Sequence, residues 1–208
     1  MPKFITFEGL DFSGKSTTLN AIKDKLLANH DIIFTREPGG SPLAEQIRDL
    51  LTTHAQEYTP EQKLELFSMA RLDHVTNTID PALRNGKSVI SDRYNGSTYA
   101  YQVGGDGLAF DKVQETTNYL YSTFPRARPD LTIYFKVSPQ ERKRRMSLRD
   151  QDALDKYDEL FYQRVEKAYL QGIQASSKMI EIINADAEPD IIAHKVYQII
   201  EKALQKES

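Results

Sequence analysis

The chain has 208 residues, 39% hydrophobic and 27% charged, which suits a single α/β domain with a core of its own. Its 27 Lys and Arg against 30 Asp and Glu leave a formal net charge of −3, which argues against broad binding to a nucleic-acid polymer but leaves room for a local basic site. With no Cys, disulfides and thiolate metal sites are excluded; no run is long enough to span a membrane, no leader is expected ahead of the first strand, and the cytoplasm is the expected location.

The apolar run Phe4–Phe7 predicts the first strand. Gly9-Leu10-Asp11-Phe12-Ser13-Gly14-Lys15-Ser16-Thr17 follows it and fits G-x-x-x-x-G-K-[ST], the phosphate-binding loop. A helical pattern then runs near 15–28, with Leu19, Ile22, Leu26 and Leu27 at helical spacing. Glycines let backbone N–H groups turn inward around an anion, and the helix start adds its positive end. Lys15 can reach the β- and γ-phosphates of a nucleotide, and Ser16 can ligate Mg²⁺. A plain glycine-rich turn is the competing reading, disfavoured by Lys15-Ser16-Thr17 at this offset.

Ile32–Thr35 predicts the second strand, and Thr35-Arg36-Glu37-Pro38-Gly39-Gly40 continues from its C-terminal end. Pro and Gly shape this loop; Arg36 and Glu37 either face a cleft or are solvent-exposed. The next helix, near 42–52, carries Arg48, which could point at the same cleft. A long helical pattern over 60–84 places Phe67 and Arg71 at i and i+4, on one face. Together they can stack on a base and hydrogen-bond its edge, although spacing alone favours a core Phe and a surface Arg. Asn85-Gly86 ends this helix, and Ser88–Ser91 predicts the third strand.

Asp92 and Arg93 end that strand, at the sheet edge where open α/β folds bind ligands. Asp92 can serve Mg²⁺ or its water shell, and Arg93 can clamp a phosphate with two parallel hydrogen bonds. A local surface ion pair is the bland alternative. Ser97-Thr98-Tyr99-Ala100-Tyr101-Gln102 offers hydroxyls, a phenol and an amide, which can read a small polar ligand or cap and pack a helix. A helix near 109–123, a turn at Pro125 and Pro129, and a fourth strand at Leu131–Val137 follow. Helices near 138–148, 157–176 and 188–205 flank a fifth strand at Ile180–Ile183. The stretch 141–158, basic then mixed, reads as a solvated helix and loop or as a lid that brings Arg over a polyphosphate; beside a phosphate loop the lid is preferred. Strands alternating with helices predict a parallel sheet covered on both faces, in one domain spanning 1–208. The four His residues show no metal-ligand spacing.

Six markers occur in order: Phe7-Glu8-Gly9, Thr35-Arg36-Glu37-Pro38-Gly39-Gly40, Phe67-x-x-x-Arg71, Asp92-Arg93-Tyr94, Ser97 with Ala100-Tyr101-Gln102, and Asn184-Ala185-Asp186. With them the chain resembles the thymidylate kinases of the nucleoside-monophosphate kinase group over essentially its whole length. The resemblance implies a phosphate-loop nucleoside-monophosphate kinase fold, α/β with a five-stranded parallel sheet. It implies Mg²⁺-dependent transfer of the ATP γ-phosphoryl group to dTMP, and a homodimer. It places ATP on Gly9 to Thr17 with adenine beside Asn184 and Asp186. Phe67 would stack on thymine and Arg71 would bind its carbonyl edge, with Ser97, Thr98 and Gln102 reading the pyrimidine. Tyr101 would lie under the deoxyribose, Asp11 would meet the 3′-hydroxyl, and Pro38 would shape the pocket. Arg36, Arg48 and Arg93 would surround the dTMP phosphate, and Glu37 would position Mg²⁺ or water.

Two departures stand out. Where relatives usually carry Gly or a basic residue, position 12 is Phe, so a catalytic arginine must come from the lid, as in bacterial members. Among Arg142, Arg144, Arg145 and Arg149, Arg149 is assigned because Arg149-Asp150-Gln151 reads as loop. The Asp-Arg-x-Glu pattern often found in the lid is here Asp155-Lys156-Tyr157-Asp158, and Lys lacks the fork of Arg. A different monophosphate acceptor, such as dUMP or dGMP, or a nucleotide switch without turnover are the competing functions.

Overall fold

A computed structural model describes residues 1–149 and 157–205. Among these, five strands form one parallel sheet in the order β2–β3–β1–β4–β5. They are β1 Phe4–Gly9, β2 Ile32–Arg36, β3 Ser88–Asp92, β4 Leu131–Lys136 and β5 Ile180–Asn184, all at the predicted places. Every residue of the central β1 is buried, whereas the edge strands β2 and β5 are only partly covered. A strand with helices on both faces accepts apolar residues at every position, which is why β1 and β4 are mostly apolar, interrupted by Thr6 and Glu8 and by Thr132. Phe4 joins a core with Val75, Ile79 and Leu83; its neighbours Ile5 and Phe7 join another with Ile22, Leu26 and Ile200.

Helix α1 spans Lys15–Asn29 and α2 Pro42–Thr53. The helical pattern over 60–84 is not one uniform helix. It is α3 (Pro60–His74), a π-helical turn (Val75–Ile79) and α4 (Asp80–Arg84). Pro81 lacks the amide that a continuous α-helix would use, and the wider turn falls just before it. Thr59 opens α3 with a capping box shared with Gln62, a contact worth about 1 kcal/mol.

The Ser97–Gln102 stretch resolves as helix: α5 (Asn95–Thr98) continues into a second π-helical turn, Tyr99–Gly105. This turn packs tightly on α8 (Glu159–Ser176). A Cβ on Gly172 would lie 2.3 Å from the Tyr99 Cβ, so α8 needs glycine there. The remaining helices are α6 (Phe110–Thr123), α7 (Pro139–Arg149) and α9 (Pro189–Gln205). Arg149 is therefore the last residue of α7 and not a loop residue, which corrects the reason for choosing it. Its side chain, and Asp150 to Lys156 of the lid reading, lie outside the described residues.

From β1 the chain runs outward to β2, and from β3 it crosses to β4 on the opposite side of β1. The connections after the adjacent strands β1 and β4 leave in opposite directions, to β2 and to β5, and open a crevice at the C-terminal edge, the place where open α/β sheets bind ligands. The loops after β1, β2 and β3 all meet there.

Candidate active site

The loop after β1 is shaped to face an anion. Gly9 and Gly14 take φ of 146° and 92°, conformations that favour glycine. Gly14 leads into α1, whose first turn presents free N–H groups. Lys15 is 6% exposed. Its Nζ donates to Gly9 O (2.8 Å), Leu10 O (2.8 Å) and Ser13 Oγ (3.3 Å), which holds it across the loop. Burial lowers its pKa to about 7, aided by Arg93 and opposed by Asp11, Asp92 and Glu8. The unfolded chain therefore binds the more protons from about pH 7 to about pH 10, and this group's contribution to stability rises with pH across that window. A polyphosphate placed beside Lys15 restores its charge. Binding of ATP at about pH 8 is thus expected to take up close to one proton. Titration calorimetry in buffers of differing ionisation enthalpy measures this uptake, which should vanish in Lys15→Met.

Phe12 sits at φ 63°, in the left-handed region where a side chain adds about 1–2 kcal/mol of strain. This gives a physical reason for glycine at that position. Since Ala keeps the strained Cβ and Gly does not, Phe12→Gly should unfold at higher urea than Phe12→Ala, by about 1 kcal/mol.

Ser16 Oγ donates to Asp92 Oδ2 at 2.9 Å, joining α1 to the end of β3. Asp92 Oδ1 is buried and has no hydrogen-bond partner among the described residues. A hydroxyl beside an orphaned carboxylate oxygen is a hard-oxygen donor set that fits Mg²⁺. No group of three or more His, Cys, Asp or Glu gathers among the described residues, so any such ion must share its shell with substrate phosphates or water.

Two cavities open here. The larger, of about 890 Å³, is lined by the phosphate loop, Arg36, Arg48, Asp92, Arg144 and Arg145. The smaller, of about 230 Å³, is lined by Pro38, Phe67, Arg71, Ser97, Thr98, Tyr101 and Gln102. Asp11, Glu37 and Arg93 border both. Phe67 and Arg71 share a cavity wall, so the spacing-based preference for a core and surface pair is overturned by the loops that close over them. Arg93, at φ 71°, donates through Nη1 to Gly9 O (3.2 Å), Ser97 Oγ (3.1 Å) and Tyr169 Oη (2.9 Å), and through Nη2 to Asp11.

Several predicted ligand readers are committed to protein partners. Glu37, 5% exposed, accepts from Arg71 Nε (2.8 Å) and contacts His74 Nδ1 (3.0 Å). Thr98 Oγ1 accepts from Arg71 Nη2 (2.9 Å), and Gln102 Nε2 donates to Asp106 (3.3 Å). Arg48 donates to Pro38 O (2.7 Å), while Arg36 makes an exposed pair with Glu45 (2.9 Å). Asn184 and Asp186 line neither cavity; Asp186 instead closes the β4–α7 junction through Ser138 N (2.8 Å). On α7, Arg142 is buried with its guanidinium 3.6 Å from the Tyr162 ring centroid. Arg145 reaches Ala185 O (2.6 Å) and Phe12 O (3.4 Å), and so touches the phosphate loop.

The sequence matches the family profile for thymidylate kinase over residues 7–196. The chain belongs to the thymidylate kinase family. It is 36% identical to a thymidylate kinase of Cupriavidus metallidurans over 199 residues, covering 95% of this chain and 97% of that one. It is 37% identical to a thymidylate kinase of Nitrosomonas eutropha over 205 residues, covering 96% and 93%. The crystal structure of thymidylate kinase from Ehrlichia chaffeensis superposes with a TM-score of 0.76 at 27% identity, covering 96% of this chain and 98% of that one. The chain is a kinase, with ATP as co-substrate, and its activity is phosphoryl transfer to dTMP giving dTDP for dTTP synthesis. The reading as a switch without turnover gives way.

This thymidylate kinase-family chain also brings to the site three residues without a role in the sequence motifs: Glu8 and Tyr169, linked to Arg93, and His74 beside Glu37. The one available signal was Glu8 itself, an acid at the end of an otherwise apolar strand next to a phosphate loop.

Proposed function

We propose that the larger cavity takes ATP, the smaller takes dTMP, and the γ-phosphoryl group passes between them at their shared wall. The observation that carries this reading is that wall: Arg93, Asp11 and Glu37 border both spaces. Two anions repel, and a guanidinium placed between them lowers the barrier by neutralising both. The acceptor is an ionised phosphate, so no general base is required. Lys15 and the loop amides hold the donor phosphates. Asp92 and Ser16 would hold Mg²⁺, with Glu37 across the cleft, and the ion would neutralise phosphate charge. The exposed Arg36–Glu45 pair is worth about 1 kcal/mol or less, so Arg36 exchanges Glu45 for the dTMP phosphate at little cost, and Arg48 supports it. Phe67 stacks on thymine, Arg71 meets its edge and Pro38 walls the pocket. Ser97, Thr98 and Gln102 shape that pocket, Tyr101 lies under the sugar and Asp11 takes its 3′-hydroxyl. Asn184 and Asp186 flank adenine. Arg149, with Arg145 beside it on α7, closes over the phosphates within a lid over 141–158, in a single domain spanning 1–208. The bacterial-type lid arginine follows from Phe12.

A homodimer, working in the cytoplasm, completes the proposal. Leu50 (41%), Met69 (52%) and Tyr119 (64%) are large apolar side chains left exposed on α2, α3 and α6, a face suited to a second copy. Among the described residues no helix is long and apolar enough to cross a membrane. The deciding assay couples ADP release to each monophosphate in turn, with ATP and Mg²⁺. dTMP should be the best acceptor and dGMP inert; turnover of purine monophosphates would overturn the acceptor-site reading.

A further inference from the structure

A buried carboxylate lies beneath Arg93. Glu8 is 1% exposed and accepts from Tyr94 N (2.9 Å), Ser97 N (3.2 Å), Ser97 Oγ (2.7 Å) and Tyr169 Oη (3.2 Å). The phenol of Tyr169, on α8, also lies 2.7 Å from Ser97 Oγ and 3.1 Å from Gly9 O. Arg93 Nη1 then donates to that phenol at 2.9 Å. A hydroxyl has one proton and two lone pairs. Because Tyr169 accepts from Arg93, its own proton goes to the Glu8, Ser97 or Gly9 oxygen, and one hydroxyl joins the guanidinium to this buried cluster. Burial pushes the phenol pKa well up, which keeps that proton in place. The backbone of Arg93 is fixed from both sides, by Phe7 O accepting its N–H (2.9 Å) and by Ser91 Oγ donating to its O (2.8 Å). Its side chain is held by Gly9 O, Ser97 Oγ and Tyr169 Oη on Nη1 and by Asp11 on Nη2.

We propose that Tyr169 is a positioning residue, whose phenol, backed by Glu8 and Ser97, holds the Arg93 guanidinium at the boundary between the donor and acceptor cavities. The functional consequence rests on the phosphoryl-transfer reading above. Without the phenol, Arg93 keeps its charge and its partner Asp11 but loses one of three acceptors on Nη1. The guanidinium then turns toward Asp11 and solvent. It also follows that Ser97, predicted to read the pyrimidine, acts through Arg93.

Tyr169→Phe removes that oxygen and keeps the ring packed against Tyr134 (5.4 Å) and Tyr101 (6.2 Å). Two readouts test it. The first does not depend on turnover: nitrogen-15 NMR of the guanidinium N–H protons, with the Arg93 signal assigned by its loss in Arg93→Ala. The signal should exchange slowly in the parent and rapidly in Tyr169→Phe. The second is kinetic. Tyr169→Phe should lower kcat/KM for dTMP about tenfold, as expected for one hydrogen bond to a charged group, with KM for ATP unchanged. In an Arg93→Ala background the same substitution should have almost no further effect, since residues acting through one another are non-additive. Ser97→Ala should show the same pattern at smaller size. An unchanged Arg93 signal in Tyr169→Phe, or fully additive kinetic losses, would overturn the proposal. A parent chain that does not phosphorylate dTMP but shows the NMR change would overturn the acceptor assignment and leave the positioning role standing.

Discussion

Replacing Lys15 with Met is expected to reduce kcat for dTMP phosphorylation by about 10³-fold or more, with little loss of fold. The catalytic side follows from placement. Nζ sits 2.8 Å from two carbonyl oxygens of the phosphate loop, inside the arc proposed to grip the donor phosphates. One preorganised donor aimed at developing charge is typically worth about 10²–10³ in rate, and this one carries a full charge in a site sheltered from water. The stability side follows from the depressed pKa. Burial disfavours the ammonium, and Met removes that burden while filling similar space. Against this, the Gly9 and Leu10 carbonyls lose a donor, at about 1–3 kcal/mol. The two effects are of similar size and opposite sign, so the melting temperature should move by only a few degrees. Retention of more than about a tenth of parental kcat would show that Lys15 is a structural tie across the loop rather than a phosphate ligand.

The second large effect is expected at Arg93. Arg93→Ala should lower kcat/KM by about 10²–10³, the range for removing one electrostatic contact at the reacting group. Unlike Lys15→Met, it should also destabilise the fold. The guanidinium is the counter-charge for buried Glu8 and the partner of Asp11, and removing it leaves a buried carboxylate without its cation, at about 1–3 kcal/mol or more. Arg93→Lys separates the two roles. A lysine restores charge near Glu8 and recovers most of the stability. It lacks the planar fork that reaches Gly9, Ser97 and Tyr169 on one side and Asp11 on the other, so most of the activity stays lost. Urea unfolding and steady-state kinetics on the same three proteins measure both. A loss well below about tenfold in Arg93→Ala would argue against any phosphate clamp at this position.

The sequence by itself determined the parts of this protein that are local. Gly9 to Thr17 between an apolar run and a helical pattern specified a phosphate loop, because each residue there acts on its own neighbours. The mostly apolar stretches specified strands, and those strands fall where predicted. The ordered markers at Phe67, Arg71, Asp92, Arg93 and Tyr101 fall on the walls of the two cavities. Tertiary structure decided which groups are left free to meet a ligand. Ser97, Thr98 and Gln102 line the smaller cavity, yet each spends a polar atom on Glu8, Arg71 or Asp106. Arg145 touches the phosphate loop because the middle of α7 faces Phe12, a contact that no spacing within α7 announces. Glu8 and Tyr169 stand 161 positions apart and share no sequence pattern. Their contact exists because β1 lies at the centre of the sheet and α8 packs against the π-helical turn above it. Periodicity and motif spacing report what a residue does within its own element; a hydrogen-bond partner on another element is set by the packing of the whole chain.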